Sequence, residues 1–501
     1  MNEAGDVRLA CIGSLRGAGL WNTYNSVAIL ESLTSLGNPA ASRHVEPYIN
    51  PWMKAEDLTE DHPSIPGKLR TGTRARLAVI VLIALALRLA VIPLPNFENL
   101  MDADHIHAWE PGNMARNLVA GHGFGSTLDS TQPSAMMTPI YPLIVAGVFL
   151  IFGVHTSASI LAVHTLNCAI NALACIPVFL FARRSFGQRA AWWSAWTWAF
   201  FPYGIYFSAA WAWSTHLLLL CLCWLLVLAQ RMEDSSKLAL WAGFGLLAGF
   251  AGLTEPSVLI VVPFLLALSC SRAARAGRRW LLPGCIAGLT MMTVLSPWMI
   301  RNAMVFHRFI PMRDNMGLEL WMGNNGYDLR WTSDDLHPLH DAEELAEYNR
   351  MGELAYNNQK MELAKAYIHD HPAWYAWMSL RRAVYIWTGY WSLRPDYLAL
   401  EPMDPANIPF ATCITLLALL GVIMAWRDAP YEAIRYAGVL FLFPLMYYFS
   451  HPEPYQLRAV DPLLVILGCQ AILALRERAG GGVVARGLQP VPQSAQVPAM
   501  D

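Results

Sequence analysis

Long, almost uncharged apolar runs recur between residues 76 and 476, and the best of them are about 18–25 residues each. A run of that length crosses a hydrocarbon core about 30 Å thick as a helix. Inside a bilayer the backbone must satisfy its own hydrogen bonds, so a chain with many such runs folds as a bundle of helices. Only 14% of the residues are charged, against about 25% in a typical soluble domain. The expectation is therefore an all-α, polytopic helical membrane protein. The net charge of −2 says nothing about partners, and no basic patch points to nucleic acid. The cysteines lie mostly in apolar runs, with no metal-binding spacing.

The convincing spans are 76–95, 157–182, 190–208, 212–230, 238–254, 256–271, 281–299, 407–426, 434–450 and 459–476. Two shorter pieces, 139–153 and 376–393, need another criterion, and the bias of basic residues to the cytoplasmic side supplies it. Lys68, Arg70, Arg74 and Arg76 place the N-terminus inside, and Arg183, Arg184 and Arg189 must also lie inside. An odd number of crossings separates the two groups. Since 157–182 is the better span, "PIYPLIVAGVFLIFG" (139–153), with two prolines, is assigned to the outer interface. The same count keeps 376–393 on the outer face. Arg231, Lys237, Arg272, Arg275, Arg278, Arg279, Arg427, Arg435, Arg476 and Arg478 then fall inside. The result is about ten full spans, interfacial helices on the outer face, and both termini inside.

Residues 1–73 read as a polar, disordered cytoplasmic tail, or as the product of a start assigned too early, with translation beginning near Met53. Residues 480–501 read as a second disordered tail. Between them lie a membrane region (74–299) with a first outer loop at 96–138, an outer segment with interfacial helices (300–393), and C-terminal spans (394–479).

Unusual polar residues concentrate in the outer segments. "MDADHIHAW" (101–109) follows the first span directly. Asp102 or Asp104 could cap an interfacial helix running to Val119, broken or kinked at Pro111 and ended by Gly121, Gly123 and Gly125. A carboxylate at the mouth of a membrane cavity is equally a candidate general base. His105 and His107 would line such a site; ligands two apart do not converge on a helix, which argues against a metal. "SPWMIRNAMVFHRFIPMRDNMGLELWMGNN" (296–325) begins with Pro297, expected to end a span, and places Arg301 and Asn302 at headgroup level. A guanidinium there can hold a phosphate or simply mark the boundary. Gly323, Asn324 and Asn325 read as a turn, or as sugar-binding amides. The stretch 340–371 reads as a helix with solvated charges. In "SHPEPYQLRAVDP" (450–462), Arg458 is either a phosphate contact or a snorkelling cation. Arg88, inside the first span, needs a partner or a polar cavity.

"MDADHIHAWEPGNMARNLVAGHGF" (101–124), "TPIYPLIVAGVFLIFG" (138–153), the Pro-Trp-x-x-Arg-Asn to Gly-Asn-Asn run (296–325) and "HPEPYQLRAVDPLLVILG" (451–468) together resemble the GT-C membrane glycosyltransferases. The resemblance is to the group of bacterial protein mannosyltransferases and aminoarabinose transferases, glycosyltransferase family 39. It implies a GT-C fold and transfer of a sugar from a polyprenyl-phosphate donor to an acceptor lipid, glycan or protein on the outer face, with inversion. Asp102 matches the position of the family's catalytic base, with Asp104 beside it. Arg301, Arg458 and Arg88 are candidates for the donor phosphate, and His105, Asn302, Asn324 and Asn325 for the substrate. No cofactor is required, although a divalent cation near Asp102 and Asp104 is compatible with the motif. The chain departs from the family in two places. Thr215 and His216 stand where an acidic residue often begins the fourth long apolar segment, and Tyr-Gln-Leu-Arg (455–458) replaces an Arg-Tyr-Arg run. The rival readings are a polyprenyl-diphosphate glycan polymerase or ligase, a transporter or flippase, and a membrane scaffold; a transporter would favour an internal repeat, which the chain lacks.

Overall fold

The structure is a computed structural model that describes residues 71–93, 109–126, 128, 131–330, 333 and 336–487, with side chains to 479. The described residues belong to one compact unit. The described residues are α-helical apart from turns, short 3-10 segments and one isolated bridge between Gly125 and Pro133.

Among the described residues, six helical stretches are long and apolar enough to cross a membrane: Ser157–Ala199, Thr215–Met232, Pro256–Arg275, Leu281–Phe306, Asp404–Asp428 and Gln456–Ala479. The protein is a multi-pass membrane protein, with fewer uninterrupted spans than the ten expected. The difference has local causes. The first helix, Thr71–Val91, carries Arg74, Arg76 and Arg88. The span expected at 190–208 ends at Ala199, and Pro202 starts a separate helix, Pro202–Ala210. The span expected at 434–450 is divided into Pro430–Leu442 and Leu445–Phe449, with Pro444 between them. Leu238–Thr254 and Ile140–Phe152 are short apolar helices.

The long helices display their membrane faces directly. On Asp404–Asp428 the exposed residues Leu416, Leu419, Ile423 and Trp426 recur every three or four positions. Leu281, Leu282, Leu289, Met292, Ile300 and Met304 are exposed on Leu281–Phe306. Water does not tolerate apolar faces of that extent; acyl chains do. Leu238–Thr254 packs closely on Leu281–Phe306 because Gly245 and Gly249 have no side chain. A Cβ on Gly245 would lie 2.1 Å from the Ala287 carbonyl oxygen.

Pro297 does not end its helix, which continues to Phe306 and stops at His307 in the left-handed region (φ 51°). Proline removes the N–H that would serve the Thr293 carbonyl. The Ser296 hydroxyl donates to that oxygen instead, at 3.1 Å. The stretch 340–371 is two helices, Ala342–Met351 and Glu353–Asp370, separated by Gly352 (φ 77°). Its charges are not all solvated. Lys360 is buried against Glu344 (2.6 Å) and lies over the Tyr356 ring, and Glu353 is buried.

At one end of the bundle, Arg435 is buried between Glu233 and Glu432, and Arg272 pairs with Glu233 at 3.1 Å. Arg184 and Arg278 both reach Asp234. These contacts gather the basic loops that the charge count groups on one side.

Candidate functional site

A cavity of about 910 Å³ opens among the segments expected on the outer face. It is walled by the start of Glu110–Val119, the Pro202–Ala210 helix and the three residues after it, and the stretch from Arg313 to Met322. His337–His340, parts of 385–411, and the 451–458 loop complete the wall. Breaking the helix at Pro202 is what lets Tyr203, Phe207 and Trp211 face it.

One part of the wall is aromatic. Trp211 stacks on Tyr455, with ring centroids 4.9 Å apart, and Tyr203 meets Phe410 edge-on at the same distance. The Arg458 guanidinium lies over the Tyr203 ring at 4.5 Å and near Phe207 at 5.7 Å. Its Nε is 3.6 Å from the buried Asp461 carboxylate. This is a cation presented on aromatic faces inside a cavity, with one carboxylate behind it.

Another part is rich in ionisable groups. Arg313 lies 3.2 Å from Glu255 and 3.7 Å from Glu319, and donates from Nε to the Met136 carbonyl at 2.6 Å. Burial works against its charge, but Glu255, Glu319 and Glu110 outweigh that and hold its pKa above the ordinary value. Burial raises the Glu255 carboxyl, partly offset by Arg313. His451 Nδ1 is 3.1 Å from Glu319, and Arg330 pairs with Glu401 at 2.6 Å. His337 Nε2 faces the Glu110 carboxylate at 3.8 Å. Burial, then the neighbouring His340 and His451, push its pKa down to about 3, so the ring is neutral.

Of the residues selected from the sequence, Arg458 lines this cavity. Asp102, Asp104, His105 and His107 lie outside the described residues. The others lie elsewhere, with their polar atoms turned toward the protein. Arg88 donates to Asn171 Oδ1, to the Ala84 carbonyl, and to the carbonyls of Trp198 and Ala199. The last two are helix-end oxygens, and the residue that would normally serve Trp198 is Pro202, which has no N–H. Arg88 thus has the partners that its position requires within the protein. Arg301 donates to the carbonyls of Ser134 and Phe124, and sits over the Trp298 ring at 4.9 Å. Asn302 holds the Ile310 and Met312 carbonyls. Asn324 donates to the Leu320 and Phe449 carbonyls and accepts from Arg382. Asn325 closes a turn onto Trp321, Met322 and Ser333. Next to them Gly323 allows the 449–451 backbone to approach, since a Cβ there would be 2.1 Å from the Ser450 oxygen.

Glu110, Arg313, Glu319 and His337 were not selected from the sequence. Weak signals existed: Glu110 immediately precedes a proline within the first outer loop, and His337 and His340 share a His-Pro-Leu-His run. Glu255 sits between two apolar runs, also before a proline. Its Oε2 is 3.4 Å from the Ser214 hydroxyl, so a carboxylate does stand at the start of the Thr215–Met232 helix, supplied by another part of the chain. Among the described residues, no group of three or more His, Cys, Asp or Glu side chains is arranged to hold a metal.

Residues 133–301 match the family described as dolichyl-phosphate-mannose-protein mannosyltransferase. That segment is a third of the chain and contains none of the cavity's later loops. No curated protein matches the sequence. Among solved structures, the chain is similar to the oligosaccharyltransferase AglB of Archaeoglobus fulgidus in complex with an inhibitory peptide and a dolichol-phosphate. The TM-score is 0.46 and the identity 12%, over 85% of this chain and 53% of that one. The apo form of the same archaeal enzyme gives a TM-score of 0.47 at 12% identity, over 83% and 52%. ArnT from Cupriavidus metallidurans bound to undecaprenyl phosphate gives 0.35 at 13% identity, over 84% and 82%. The chain spans about half the length of the oligosaccharyltransferase.

Proposed function

We propose that the protein is a membrane glycosyltransferase that moves a sugar from a polyprenyl-phosphate donor to an acceptor hydroxyl on the non-cytoplasmic face of the inner (plasma) membrane. The observation that carries this reading is a single cavity in which a cation on aromatic walls, Arg458 over Tyr203 and Phe207, is joined to a rim of carboxylates and imidazoles. An isoprenoid chain needs an apolar wall, its phosphate needs a cation, and a sugar needs hydrogen-bonding groups. The match of residues 133–301 to a family named for a lipid-phosphate sugar donor supports the same assignment.

In the proposed reaction the acceptor oxygen attacks the anomeric carbon from the face opposite the phosphate. The carbon–oxygen bond to the phosphate breaks, and polyprenyl phosphate leaves with the electron pair. The configuration inverts. Arg458 stabilises the charge that develops on the leaving phosphate. The acceptor's proton goes to a carboxylate of the first outer segment, Asp102, with Asp104 next in line. Holding both substrates in one cavity supplies part of the rate. The acceptor is a lipid, glycan or protein hydroxyl.

The test is transfer by the purified protein in lipid, using radiolabelled polyprenyl-phosphate sugars and a membrane extract as acceptor, compared with Asp102→Asn. Label moved by the wild type and lost in the variant is the expected result. Equal transfer by both would remove Asp102 from the reaction and shift the role to Asp104. No transfer of any donor by the wild type would overturn the reading.

A further inference from the structure

The cation in the cavity wall has a charge of opposite sign behind it. Asp461 opens the last long helix, Asp461–Gly487, and is 2% exposed. A carboxylate in a first helical turn complements the helix dipole, and that role needs no cation. This one is nevertheless directed at the guanidinium: its Oδ2 lies 3.6 Å from Arg458 Nε. The distance makes an ion pair but is too long for a hydrogen bond. Both atoms are buried, and among the described residues neither finds a hydrogen-bond partner. Arg88 and Arg301, by contrast, give their donors to backbone carbonyls. Arg458 is held instead by two aromatic rings and one buried carboxylate that offsets its charge.

We infer that Asp461 sets which charge state of the lipid phosphate the cavity keeps, favouring the singly charged diester of the donor over the doubly charged monoester left after transfer. The inference rests on the reading of this cavity as a lipid-phosphate sugar site. The charges follow from the bonds. In a polyprenyl-phosphate sugar the phosphorus is esterified twice and carries one ionised oxygen. When the bond to the sugar breaks, the phosphate keeps the electron pair and becomes a monoester, whose second ionisation lies at about pH 6. Arg458 alone would hold that dianion more tightly than the donor, and product would occupy the site. A fixed negative charge behind the guanidinium repels the dianion twice as strongly as the diester. At about 8–10 Å and an effective dielectric of about 20, each unit of phosphate charge is disfavoured by about tenfold or more in affinity. Arg458 still serves the transition state, where the second charge is only partly developed.

Other carboxylates near this end of the cavity are tied differently. Asp404 accepts from the Tyr397 hydroxyl, and Glu401 is paired with Arg330. Asp461 is the carboxylate ion-paired with Arg458. It stands behind the guanidinium rather than in the cavity wall, so it acts on a bound phosphate through space and takes up none of the room.

The experiment measures binding of the full chain in lipid nanodiscs to two probes with the same tail, undecaprenyl phosphate and its methyl ester, at about pH 8. The first is a dianion, the second carries one charge, and neither has a sugar. Wild type is compared with Asp461→Asn, Asp461→Glu and Arg458→Gln. We expect the wild type to bind the dianion no tighter than the ester. Asp461→Asn should bind both more tightly, with the ratio of dianion to ester affinity raised about tenfold. Asp461→Glu should keep the wild-type ratio, and Arg458→Gln should weaken both probes. Both affinities are read on one preparation, so a loss of folded protein does not alter their ratio. An unchanged ratio in Asp461→Asn would make Asp461 structural and overturn the inference. Wild-type affinities in Arg458→Gln would overturn it too, by placing the phosphate elsewhere. So would a wild type that binds the dianion several-fold tighter than the ester, a result that needs no variant to fold and leaves the proposed donor class standing. A wild type that binds neither probe overturns both.

Discussion

Neutralising Glu353 should flatten the pH dependence of stability. This carboxylate is 5% exposed and holds the loop that leads from the first outer segment into the membrane. It accepts the Ala135 N–H at 2.6 Å and the Tyr348 hydroxyl at 3.0 Å, and Tyr348 in turn meets Ser126 at 3.1 Å. Burial pushes its pKa from 4.5 up to about 7, against the opposing pull of those hydrogen bonds. Between those values the folded state keeps a proton that the unfolded chain has released. The stability that this proton confers is complete below the unfolded pKa, falls as pH rises, and is gone above the folded pKa. The raise from 4.5 to about 7 corresponds to about 3 kcal/mol, at about 1.4 kcal/mol per unit. Asp314, whose N–H donates to the Ala135 carbonyl, is raised to about 6 by burial and contributes in the same direction. Thermal unfolding in detergent at about pH 5 and about pH 8 should therefore show a larger loss for wild type than for Glu353→Gln, with Asp314 leaving a smaller pH dependence in the variant. Equal losses in the two proteins would refute the reasoning.

Two further substitutions test assignments made above. Arg88→Met should lower thermal stability substantially, because each buried acceptor left without a donor is worth about 1–3 kcal/mol. A variant of normal stability that no longer binds polyprenyl phosphate would return Arg88 to the phosphate. Gly323→Ala should displace the 449–451 backbone, which carries His451 of the cavity wall, and destabilise by about 1–3 kcal/mol. Unchanged unfolding would show that this approach is looser than it looks.

The legible part of the chain was its local chemistry. Apolar runs marked the membrane helices, and the helix Glu110–Val119, with its glycine stop, lies where 102–119 was expected. Pro202 and Pro444 were visible too, but proline alone does not say whether a helix breaks. Pro297 sits in an unbroken helix because Ser296 serves the stranded carbonyl, whereas Pro202 begins a new helix and Arg88 takes up the oxygens left behind.

Arginine and asparagine roles could not be read in the same way. Arg301 and Asn324 occur in a motif that suggests ligand binding, yet their donors meet backbone carbonyls brought from elsewhere in the chain. Arg458 could be recognised because it lies close to a span. Glu110 and His337, or Glu255 and Arg313, become meaningful only as pairs. Helix formation and membrane insertion depend on neighbours three or four positions away, so the order of residues carries them. Which carboxylate meets which cation depends on contacts across hundreds of residues, and those are settled only when the helices pack.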